Sequence, residues 1–66
     1  MINVISIEAG TRVKLTTGAI GEVVDNVGDG QWLSIRYISA PDESIVGEEE
    51  LCHASDIVAV VGPGGQ

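Results

Sequence analysis

The dipeptide Asp29-Gly30 constrains this chain most, because it sits between two runs in which apolar and polar residues alternate. Asp-Gly favours a two-residue type I′ hairpin turn, whose positive φ angles glycine adopts freely. In that loop Gly28 opposes Gln31, and the ladder continues as Val27–Trp32, Asn26–Leu33, Asp25–Ser34, Val24–Ile35 and Val23–Arg36. Opposed residues share a sheet face. The expected core face is therefore Val24, Leu33, Ile35 and Tyr37, with Ile20 in phase. Val23, Asp25, Val27, Trp32, Ser34 and Arg36 fall on the other face. A three-residue loop would set Val24 against Ser34 and Asp25 against Leu33, mixing apolar with polar on each face.

Elsewhere the chain repeats the same grammar. Nine glycines divide it into short segments, and no stretch holds apolar residues at helical spacing for three turns. Strands are expected at residues 2–7, 11–16, 19–27, 31–38, 49–53 and 57–61. Between the last two, Ala54-Ser55-Asp56 reads as a single helical turn, with Ser55 or Asp56 satisfying its free amides. Residues 39–47 read as a mobile loop, residues 1–61 as one domain and residues 62–66 as a flexible tail. The fold class is all-β: five or six short antiparallel strands forming a small barrel, with one helical turn before the last strand.

A chain of 66 residues hides only roughly 60% of its unfolded surface on folding, so outside support is expected. Cys52 is the single cysteine and cannot form a disulfide within the chain. Residues 2–7 and 57–61 place apolar side chains in both strand phases and so ask for cover on both faces. In a domain this small one of those faces is expected to meet a second subunit, making the protein a homo-oligomer. The opening residues lack a basic region and an export cleavage site, and no membrane span fits. The lone thiol points to the cytoplasm.

The segments Gly10-Thr-Arg-Val-Lys-Leu, Gly18-Ala-Ile-Gly21-Glu-Val-Val, Trp32-Leu-Ser-Ile-Arg-Tyr37 and Asp56-Ile57-Val58, with Leu51 between, resemble KOW-type and other SH3-like barrels. The resemblance runs from about residue 10 to residue 60 and implies the SH3-like fold. It carries no activity, since that group spans ribosomal and transcription-factor modules and accessory domains of enzymes. The plasmid-type dihydrofolate reductases share the small-barrel shape and use a Val-Gln-Ile-Tyr strand. Here the corresponding residues are Ser34-Ile35-Arg36-Tyr37, and the acidic balance suits neither folate nor a phosphorylated nicotinamide cofactor.

Charge narrows the functions further. Net charge is −7, the three bases are Arg12, Lys14 and Arg36, and the chain from Tyr37 onward carries six acids and no base. Such a half repels phosphate backbones, so direct nucleic-acid binding is not expected, whereas a basic protein partner is. Cys52 and His53 are strand neighbours pointing to opposite faces and do not form a catalytic or metal pair. Glu48, Glu49 and Glu50 lack cation-loop spacing and read as a solvated acidic rim. No catalytic residue, metal site or cofactor is expected. The interaction candidates are Trp32, Arg36, Glu48, Glu49 and Glu50, with Trp32 either an interface anchor or a plug over an open barrel end. The expected function is a non-catalytic, self-associating protein-interaction module with an acidic surface. The alternatives are a ligand or enzyme site formed only at a subunit junction, and an accessory subunit of a larger complex.

Overall fold

The computed structural model describes residues 7–62. Five strands follow one another as β1 (Arg12–Leu15), β2 (Ile20–Asn26), β3 (Trp32–Ser39), β4 (Glu49–His53) and β5 (Ile57–Gly62). They form one antiparallel sheet in the order β4-β3-β2-β1-β5. The all-β class, the strand count and the helical turn before the last strand are as the sequence implied. The barrel is not closed: β4 and β5 are the two edges, and no ladder joins them among the described residues. Of the expected strand at residues 2–7, residues 2–6 lie outside the described residues, as do residues 63–66 of the expected tail. Gly62 belongs to β5 rather than to a tail.

One core explains why the sheet curls. Val13 and Leu15 of β1, Val23 of β2, Leu33 and Ile35 of β3, Cys52 of β4 and Ile57 of β5 form a single buried cluster with Ile7 and Ala19. A cluster reached from both edge strands requires the sheet to bend around it. Tyr37, Ala40 and Ala54 pack on its margin. Gly21 makes the bend possible at the centre, since a Cβ there would lie 2.7 Å from Ile35 Cδ1.

The β2–β3 hairpin keeps part of the expected register and corrects the rest. Asn26 opposes Leu33 and Asp25 opposes Ser34, as expected, but the register then shifts so that Val23 opposes Ile35 and Glu22 opposes Arg36. Val24 is the extra residue of a β-bulge. It is 38% exposed, while Val23, expected on the outer face, is buried. The bulge switches the phase of β2, so Gly21 and Val23 point inward while Asp25 remains in water. Strict alternation from Val23 would have driven that carboxylate into the core. A second irregularity at Ile38 lets Ile20 oppose Ser39 while Gly21 opposes Tyr37.

The turn also differs from type I′. Positive φ occurs at Gly28 and Gly30 (88° and 80°) and at no non-glycine residue, so Asp29 does not take the left-handed conformation. Its Oδ1 instead accepts from the amides of Gln31 (2.8 Å) and Trp32 (3.0 Å), and Asn26 Oδ1 accepts from Gly28 N. The carboxylate thus takes the place of a backbone acceptor for these amides, and the loop widens to residues 28–31. Those same amides hold the Asp29 carboxyl below the usual aspartate range.

Among the described residues side chains cap two short 3-10 turns. At Glu43–Ile45, Asp42 accepts from Ser44 N (3.0 Å) and Ser44 Oγ (2.7 Å), which lowers the Asp42 pKa. The segment expected as an irregular loop from residue 39 thus begins after Ser39 and contains a capped turn. Tyr37 ties its far end to β3, donating its amide to Glu48 O and accepting from Gly47 N. At Ala54–Asp56 the cap is neither Ser55 nor Asp56: His53 Nδ1 accepts from Ser55 N at 3.1 Å. A strand residue whose ring reaches forward over the turn was available there.

Candidate functional site

The pairing of β3 with β4 determines which candidate residues meet. Trp32 opposes His53, Ser34 opposes Leu51, and Arg36 opposes Glu49, so these six share the outer face. The hairpin register continues that face onto β2 through Asp25, opposite Ser34, and Glu22, opposite Arg36. Leu33, Ile35 and Cys52 alternate with them and point inward into the core.

At one end of the face Trp32 meets His53 edge-on, with ring centroids 4.8 Å apart and planes at 78°. His53 is held by its contacts with Ser55, the Nδ1 to Oγ distance being 2.9 Å. With Nδ1 accepting the Ser55 amide, the neutral ring carries its proton on Nε2. Trp32 remains 39% exposed, and Leu51 in the middle of the face is 61% exposed. At the other end Arg36 Nη2 lies 2.8 Å from Glu49 Oε2. Both side chains are about half in water, so the pair contributes only about 0–1 kcal/mol to stability. Its more definite effect is to hold the guanidinium and carboxylate in place beside Leu51.

The glutamates separate. Glu49 shares the face with Trp32 and Arg36, while Glu50 opposes Ile35 and points to the other side, where it accepts a hydrogen bond from the Tyr37 hydroxyl. Glu48 precedes β4 and is exposed. Tyr37, Glu50, Cys52 and Asp56 line a cleft of about 220 Å³ together with Thr16 and Thr17. The hydrogen bond to Glu50, aided by burial and further carboxylate charge, pushes the Tyr37 pKa up to about 12. Burial, then the charges of Asp56 and Glu50, push the Cys52 thiol up to about 11. A buried thiol held protonated is unsuited to nucleophilic chemistry, in keeping with a packing role for Cys52. A second hollow, of about 390 Å³, lies between Ile38 to Ala40 and the turn residues Glu43 and Val46.

Of the five interaction candidates, the structure brings Trp32, Arg36 and Glu49 onto one face and sends Glu50 to another. Leu51 and His53 belong to that face and were not among the interaction candidates read from the sequence. Their phase was readable, but only pairing with β3 places them beside Trp32 and Arg36. Among the described residues no three His, Cys, Asp or Glu side chains gather as a metal site, and no helix is long and apolar enough to cross a membrane. Comparison with protein-family models, curated proteins and solved structures finds no match to this chain.

Proposed function

We propose that this chain is a non-catalytic protein-interaction module that presents the outer face of β3 and β4 to a basic partner and associates with itself. The observation carrying this reading is the cross-strand row Trp32–His53, Ser34–Leu51 and Arg36–Glu49 on one exposed face. Aromatic and arginine side chains are the types that concentrate binding energy, and Leu51 lies between them with most of its surface in water. On that face Asp25 and Glu49 add negative charge around the apolar centre, with Arg36 paired to Glu49 and Arg12 opposing Glu22 on the β1 side. A partner segment presenting an apolar residue flanked by Lys or Arg matches it in both respects. The open antiparallel sheet with one helical turn before its last strand supports the SH3-like reading of the fold. The free thiol of Cys52 suits a reducing compartment, which supports a cytoplasmic setting.

Trp32 is the only tryptophan and reports directly on the proposed face. Titration with Lys- and Arg-rich peptides containing one central leucine should change its emission saturably, with affinity falling as salt rises. Leu51→Ser should abolish that response while the circular dichroism spectrum stays unchanged. Equal binding of acidic peptides, or no response from any basic peptide, would remove the reading.

A further inference from the structure

The second face that β5 asks for is not supplied by the described part of its own chain. Ile57 is buried, but Val58, Val60 and Val61 are 56%, 50% and 51% exposed, and β5 pairs with β1 on one side as an edge strand. The two edges differ in how they meet water. The β4 edge is flanked by Glu48, Glu49 and Glu50, which would place like charges opposite one another if two such edges paired. No ionisable residue occurs in β5, and its neighbour β1 carries Arg12 and Lys14, two of the three bases in a chain of net charge −7. Two copies of so acidic a chain meet at lowest electrostatic cost along β5.

We propose that β5 pairs antiparallel with β5 of a second copy about a twofold axis, joining the two sheets edge to edge. This deepens the self-association in the functional reading above and rests on that part of it alone. Charge selects the antiparallel sense. Arg12 lies opposite Gly62 at one end of β5, and Asp56 immediately precedes Ile57 at the other. Antiparallel pairing brings the Asp56 end of each strand to the Arg12 end of its mate, whereas parallel pairing would bring Asp56 to Asp56. The contact is self-complementary and closes after two copies, leaving both β3–β4 faces free.

Sedimentation velocity of the full chain over a concentration series tests this directly. A monomer–dimer equilibrium is expected, lost in Val60→Lys and in Val58→Lys, with thermal unfolding confirming that each variant folds. Arg12→Glu should weaken the dimer on the order of tenfold, because the altered contact occurs twice, and Arg12→Glu with Asp56→Arg should restore it. Amides of β5, and not those of β4, should gain hydrogen-exchange protection as concentration rises. A strictly monomeric full chain, association unaffected by both lysine variants, or failure of the charge exchange to restore it would overturn the proposal. So would dimerisation appearing only after deletion of residues 1–6, which would mean that this segment of the same chain occupies the edge. Peptide binding at Trp32 is read separately, so either result stands without the other.

Discussion

Gly21→Ala should destabilise the domain even though alanine is the better strand residue. The position is buried, its φ lies outside the left-handed region, and an added Cβ would sit 2.7 Å from Ile35 Cδ1 and 3.2 Å from Ile35 Cβ. Ile35 is fully buried within the core cluster, so its Cδ1 must shift against neighbouring core side chains. Overpacking of this kind costs about 1–3 kcal/mol, whereas replacing a strand glycine by alanine returns about 0.5–1 kcal/mol. The net expectation from those two ranges is a loss of up to about 2.5 kcal/mol, a large share of what a core this small supplies. Ile35→Val removes the clashing Cδ1 and by itself should cost about 0.5–1.5 kcal/mol. In the double variant the 2.7 Å clash is gone and only the 3.2 Å approach remains. The two losses should then combine to less than their sum by about 1 kcal/mol, a coupling expected of residues in contact. Urea unfolding of all four proteins, followed by Trp32 emission and far-UV circular dichroism, measures this cycle. Stabilisation by Gly21→Ala, or strict additivity with Ile35→Val, would refute the close approach as the reason for glycine.

The bulge at Val24 makes a second test: Val23→Ala should cost about 1.5–3 kcal/mol in the same unfolding assay, and Val24→Ala less than about 1 kcal/mol. The reverse order would restore the unbulged register. Gly30→Val should lose about 1–3 kcal/mol through backbone strain at positive φ, with the core untouched and its near-UV signature retained. Tyr37 holds its proton more tightly folded, near pKa 12 against an ordinary 10.0, so the stability it contributes is complete below pH 10 and is lost as pH rises towards 12. Glu50→Gln should move the phenol's spectroscopic titration back towards its ordinary value, and an unchanged titration would rule out their hydrogen bond. Cys52, buried and with its pKa pushed to about 11, should react with a thiol reagent at neutral pH only as fast as the domain opens, and addition of urea should accelerate labelling.

Much of the fold was legible in local pattern. Glycine punctuation and two-residue alternation determined an all-β chain, β4 was readable to the residue, and Leu33 and Ile35 were placed in the core by their phase within β3. Of the proposed face, Trp32, Arg36 and Glu49 were visible as exposed types in the right phase, since alternation within one strand is a local property. Leu51 and His53 needed β4 to be laid against β3. The exchange of Val23 for Val24 was beyond local reading, because an Asp-Gly turn sets the register only as far as the ladder stays regular. The bulge is favoured by distant requirements: Gly21 and Val23 must cover Ile35 while Asp25 stays hydrated. Likewise, the sequence showed that residues 57–61 are apolar in both phases, but not that β5 would be an edge with its valines in water. Strand periodicity is a property of a segment and its own side chains. Strand order, bulge position and the neighbours a side chain meets depend on residues far away in the chain, and are decided only when the whole sheet closes around a shared core.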